Sequence, residues 1–170
     1  MPGHIRIVND PVELVPLLMT FNSPAFKKVY ELLSKSWMTE EELQAQVNDE
    51  SVQVCIQVLK KGNLVEEQWR MPKPGEKPQR EFRGTYNKFR ANFQCNLQDL
   101  SDILYISLSN DENLRDIVGR IESELANGNT SISDLSRKFG VSPVFIKGLA
   151  KRIPALDVKG QGLVLLDTGR

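Results

Sequence analysis

A chain of 170 residues, 40% hydrophobic and 26% charged, holds enough apolar material for a core, built as one large domain or two small ones. No apolar run approaches the ~18 residues of a membrane span, the N-terminus lacks the layout of a secretion signal, and two cysteines cannot form a disulfide framework, so a soluble protein of the reducing cytoplasm is expected. Net charge is zero, which argues against indiscriminate coating of nucleic acid. The charge is nevertheless uneven: residues 1–130 hold 15 basic and 19 acidic side chains, whereas residues 131–170 hold 7 and 3. A basic tail on an acidic body hints at an anionic partner at that end, or is ordinary surface variation.

In chain order, His4–Val8 alternates weakly, as a short strand does. Asn9 or Asp10 can cap a helix with Pro11 in its first turn and Val12, Val15, Leu18 and Met19 on its apolar face. Ser23 and Pro24 open a second helix, with Phe26, Val29, Tyr30, Leu32 and Leu33 at helical spacing. Thr39 to Glu42 reads as a capping box starting a short helix. After a turn at Asn48-Asp49, a third helix runs to about Lys61 with Val52, Ile56 and Leu59 inward, and Gly62-Asn63 ends it. Leu64–Arg70 alternates as a half-buried strand. Met71–Gln79 contains three prolines and must be a loop, and Arg80–Tyr86 can pair back as a hairpin.

Leu97 to Leu125 reads as two amphipathic helices, lined by Leu97, Leu100, Ile103, Leu104 and Leu108, then by Leu114, Ile117, Val118, Ile121 and Leu125. Ser131 caps a further helix that stops at Gly140. Ser142-Pro143 starts another, with Ile146, Leu149, Ala150 and Ile153 inside, and Lys159 to Gly162 makes a tight hairpin turn. The expected fold is mainly α with small β-hairpin wings, an α+β class: a winged helix-turn-helix over residues 1–92, linker or dimerisation helices over 93–128, and a second small winged-helix-like domain over 129–170.

The run FNSPAFKKVYELLSKSWMTEEELQAQV, followed by SVQVCIQVLKKGNLVEE, resembles the winged-helix core of ArsR-type regulators in a form common in archaea. Leu59 to Val65 is similar to the LKKL..AGLV ending of their recognition helix. This resemblance covers roughly residues 20–90, while SISDLSRKFGVSPVFIKGLAKRIP resembles helix-turn-helix segments in general. It implies a DNA-binding transcriptional regulator acting as a homodimer on double-stranded DNA, and it sets Glu50, Ser51, Gln53, Val54 and Gln57 on the outward side of the recognition helix. Glutamine can bond adenine at two points in the major groove. Ser51, Gln53, Gln57 and Lys60 are therefore the candidate readers. Lys73, Lys77, Arg80 and Arg83 suit phosphate contact from the wing, or a merely solvated loop. Asp49 and Glu50 would oppose phosphate, or favour the helix dipole.

Two departures from that family matter. Its metal sensors cluster their cysteines, but here Cys55 and Cys95 lie forty residues apart and His4 is the single histidine, so no metal site and no cofactor are expected. The C-terminal helix is basic, yet its outward positions include Val144 and Phe145. Phe145, Lys147, Lys151 and Arg152 could form a second DNA surface, dock a protein partner, or fold back on the middle helices. No phosphate loop and no nucleophile–base pair is present, so an enzyme is not expected. The competing reading is a winged-helix module for protein–protein interaction, anchored on Val144 and Phe145. The target sequence, the effector and the sign of regulation are not written in the sequence.

Overall fold

The computed structural model describes residues 3–167. The chain starts with β1 (His4–Val8), a 3-10 turn (Pro11–Glu13) and α1 (Leu14–Asn22). Asp10 and Glu13 cap this start reciprocally: the Asp10 carboxylate accepts from Val12 N–H, and Glu13 accepts from the N–H groups of Asn9 and Asp10. Pro16 falls in the first turn of α1, where its missing N–H has no helical acceptor to lose.

Next come α2 (Pro24–Leu33), β2 (Met38–Thr39), α3 (Glu40–Val47), α4 (Val52–Lys61), β3 (Val65–Arg70) and β4 (Gln79–Gly84). The box at Thr39 forms in full, with the hydroxyl accepting from Glu42 N–H at 3.2 Å and the Glu42 carboxylate accepting from Thr39 N–H at 2.9 Å. Strands β3 and β4 pair antiparallel from Val65 opposite Gly84 to Arg70 opposite Gln79, and β2 joins the far side of β4. This three-stranded sheet with a loop at its tip closes over α2, α3 and α4.

Residues 86–91 depart from expectation. They form β5 (Tyr86–Ala91), which runs parallel to β1. The local pattern does not alternate and the partner lies about eighty residues upstream, so nothing nearby in sequence announces this strand.

The remaining elements are α5 (Leu97–Leu108), α6 (Asp111–Ala126), α7 (Ile132–Phe139), α8 (Pro143–Arg152), β6 (Leu156–Lys159) and β7 (Gly162–Leu165). Side chains of Asn96, Asn110, Ser131 and Ser142 cap the four helices. The β6–β7 connection is the two residues Gly160-Gln161, with Gly160 at φ 62°, the glycine-first pattern of a type II′ turn.

Buried apolar side chains fall into two clusters. One joins Val29, Leu33, Leu43, Ile56, Leu59 and Phe82, from α2, α3, α4 and β4. The other joins Val15 of α1 to Ile103, Ile106, Ile121, Ile146 and Leu149 of α5, α6 and α8. Each such side chain contributes ~1.5–3 kcal/mol on burial. Helix α1 thus shares a core with the C-terminal half of the chain. The end of α4 is the junction: Lys61 Nζ donates to the carbonyls of Ala150, at 2.8 Å, and Leu156. Gly62 lies so close to Pro16 that a Cβ there would sit 2.7 Å from the proline Cβ.

Candidate nucleic-acid interface

The turn between α3 and α4 is fixed by its own polar groups. Asn48 adopts the left-handed conformation at φ 52°, and Gln44 Nε2 donates to Asp49 O at 2.6 Å. The Asp49 carboxylate accepts from Ser51 N–H at 2.8 Å. Hydrogen bonds from the Ser51 side chain and backbone hold that carboxyl below its ordinary pKa. Asp49 is therefore engaged within its own turn rather than aimed outward. From this turn α4 buries Val52, Cys55, Ile56, Val58 and Leu59. Gln53, Val54 and Lys60 are exposed on the opposite side, and Ser51 and Gln57 are half-buried at its margin. Burial pushes the Cys55 thiol up to about 12, so it packs as a neutral apolar group.

The β3–β4 loop, residues 71–78, is exposed throughout and presents Lys73 and Lys77 to solvent. At its base Arg70 grips two carboxylates, with its terminal nitrogens on Glu42 at 2.6 and 2.9 Å and Nε on Glu81 at 2.6 Å. Gln68 adds a bond to Glu81. The hydrogen bonds from Arg70, followed by that from Thr39 N–H, hold the Glu42 carboxyl at about 2. One carboxylate thus caps α3 and tethers the wing.

Glu67 on β3 performs a different task. It receives Lys60 of α4 at 3.1 Å and Arg80 of β4 at 2.7 Å. Desolvation raises its pKa, but the hydrogen bonds and charges of Lys60 and Arg80 outweigh it, and the net shift is downward. Arg80 also lies 4.6 Å over the ring of Trp69, which is 60% exposed. Arg83 is half-buried and stands opposite Glu66 in the strand register. The structure therefore brings Lys60 and Arg80 together at Glu67, which neutralises part of their positive charge, while Gln53 and Gln57 lie further back along α4.

Of the alternatives open for the C-terminal candidates, Phe145 and Arg152 follow the one in which α8 folds back on the middle helices. Phe145 is only 7% exposed and stacks on Tyr105 of α5 at 6.3 Å between ring centres. Arg152 is buried, and its guanidinium donates to the carbonyls of Ile106 and Ser109 and to Asp111. It satisfies acceptors that the last turn of α5 leaves open. Lys147 and Lys151 are half-buried. The physical reason is close packing: a Cβ on Gly148 would meet Ile106 Cδ1 at 2.8 Å, so glycine lets α8 press against α5. Phe145 and Arg152 are consequently withdrawn from any outside surface.

Among the described residues, no group of three His, Cys, Asp or Glu is placed to hold a metal ion, and no helix is long and apolar enough to cross a membrane. A mixed α/β chain with a tight α3–α4 turn, a β2-β4-β3 sheet and a basic loop at its tip has the element order of a winged helix-turn-helix protein. The family model described as ArsR transcriptional regulator matches residues 8–167, and the chain belongs to that family, whose members are regulators of the DNA-binding type. The match extends well past the segment around residues 20–90, so α5 to β7 are part of the unit the family shares. No curated protein matches the chain closely enough to narrow the assignment.

Proposed function

We propose that the protein is a homodimeric, sequence-specific regulator that lays α4 in the major groove of duplex DNA and sets its wing on the flanking phosphates. The observation that carries this reading is the exposed set Gln53, Val54 and Lys60, with Gln57 half-buried at its margin, held on a helix whose other side is locked into the core. Gln53 and Gln57 present amides for adenine edges, Val54 meets a thymine methyl, and Ser51 is at the helix start. Lys60, Lys73, Lys77, Arg80 and Arg83 supply phosphate contacts. Lys60 and Arg80 exchange Glu67 for phosphate when DNA arrives.

Dimerisation is supported by unpartnered apolar surface. Leu97 and Leu104 lie exposed along α5, opposite the buried Ile103 and Ile106. Ile5 and Ile7 lie exposed on one face of the two-stranded β1–β5 sheet, which is too small to stand uncovered in water. A two-fold axis through this face would set two α4 helices on one side of a duplex. We read residues 129–170 as a winged-helix-like unit as well, since Ser131 bridges Gly162 beside the β6–β7 hairpin. In that unit α8 serves packing instead of base reading. A protein-docking module anchored on Phe145 finds no support, because that ring is buried.

The test is a gel shift on fragments of the protein's own promoter region at low salt, repeated at rising salt. Binding that weakens steeply with salt and loses sequence preference on Gln53→Ala or Gln57→Ala is expected. Folded protein that shifts no fragment at low salt rejects the proposal.

A further inference from the structure

A second feature lies away from α4. A cavity of about 700 Å³ opens between the two core clusters, inside the range of small-molecule sites. One wall is Leu18 and Phe21 of α1, with Phe21 edge-on to Tyr30 of α2 at 5.6 Å. The Tyr30 hydroxyl is occupied by Tyr86, donating to its carbonyl and accepting from its N–H, so the ring turns only apolar surface inward. Leu64, Phe89 and Leu108 complete the apolar lining.

The charge around this space is one-sided. Among the described residues no carboxylate lines it, although residues 1–130 are acidic on balance. Two cations do. Arg6 is committed, pairing with Glu13 at 3.2 Å and donating to the carbonyls of Gly62 and Ile7. Lys88 is exposed and faces no acid among the lining residues, and Asn22 lines the same space. Apolar walls, one available ammonium and an amide match a single chemistry.

We infer that this cavity binds an apolar organic monoanion, its hydrocarbon part among Leu18, Tyr30 and Leu108 and its anionic end at Lys88. The walls belong to both clusters, and Leu64 lies two residues past the junction at Lys61-Gly62. A ligand here therefore fills the seam on which the orientation of α4 depends. That regulatory consequence rests on the DNA-binding reading, but occupancy of the cavity does not.

The experiment uses the full chain and 1-anilinonaphthalene-8-sulfonate, an apolar anion whose emission rises on burial, followed by displacement with decanoate, decan-1-ol and decylamine. One saturable site per chain is expected, with decanoate displacing about fivefold better than decan-1-ol. Lys88→Gln should remove that preference. Leu108→Trp, at a half-exposed position, should block the mouth and weaken all binding more than about tenfold with an unchanged circular dichroism spectrum. Absent saturation, equal displacement by all three compounds, or indifference to both variants overturns the inference. So does sedimentation showing that only monomer binds the probe, since a second copy then covers the cavity. Gel shifts run with decanoate read the link separately: unchanged DNA affinity at saturation overturns the coupling while leaving the site. If no DNA is bound at all, the titration still decides the cavity.

Discussion

Helices α4 and α8 follow the same local grammar, each a ten-residue helix entered from a shorter helix through a tight turn and followed by a hairpin. Their fates differ. Around α4 the positions between the buried ones are open, with Gln53, Val54 and Lys60 exposed. Around α8 the corresponding positions, Val144, Lys147 and Lys151, are all half-buried, and Phe145, Gly148 and Arg152 are sunk into α5. A helix-turn-helix pattern specifies a way of folding. Whether its second helix can reach a partner depends on what the rest of the chain lays over it.

The largest expected effect breaks the α8 side. Arg152→Ala strands the carbonyls of Ile106 and Ser109 that its guanidinium serves, which should cost about 2–4 kcal/mol in chemical denaturation. Lys147→Ala, on a margin of the same helix, should cost less than about 0.5 kcal/mol. If Arg152→Ala were as mild as Lys147→Ala, the distinction between the two helices would fail. On the α4 side the ordering should reverse. Gln53→Ala should leave denaturation within about 0.5 kcal/mol of the parent and remove about 1–3 kcal/mol of discrimination at one base pair, measured by competition gel shift.

The same contrast marks what could be read in advance. The Thr39 box, the proline-rich loop and the glycine-first turn at Gly160 are short-range devices, whose residues meet partners within a few positions, and the structure forms all three. The outward placement of Gln53 is what the family resemblance implies, and it agrees with the inward spacing of Val52, Ile56 and Leu59. Long-range facts were not legible. Nothing in Tyr86–Ala91 points to β1 as its partner, and nothing around Phe145 announces that α5 will cover it. Gly148 was the one available signal, a small residue on the inward side where another helix comes close. Likewise, the pairing of Lys60 and Arg80 with Glu67 depends on the register of β3 against β4 and on where α4 lies across the sheet.

A smaller effect concerns that pairing. If Glu67 competes with phosphate for Lys60 and Arg80, Glu67→Gln should tighten DNA binding by a few fold, about 0.5–1 kcal/mol. It should also make the salt dependence steeper, because two more cations then meet phosphates directly. Weaker binding in the variant would mean that Glu67 positions those side chains instead of restraining them.

The smallest effect separates the two regions by pH. Glu42 has a folded pKa of about 2 against an ordinary 4.5, so its contribution to stability is complete above about pH 4.5 and is lost as pH falls toward 2. What goes with it is the tether between the wing and the start of α3, since Glu42 caps one and holds Arg70 of the other. The contact of α8 with α5 leans mainly on neutral acceptors: Arg152 takes two of its three from backbone carbonyls, beside Asp111, and Ser142 donates to Asp102. Amide exchange between pH 5 and pH 3 should therefore accelerate in α3 and β3 before it does in α8, relative to the intrinsic rates. Glu42→Gln should remove most of that pH dependence while lowering protection at pH 5. Uniform acceleration across α3, β3 and α8 in the parent protein would show that acid loosens the whole molecule at once, and that the wing tether is not what gives way first.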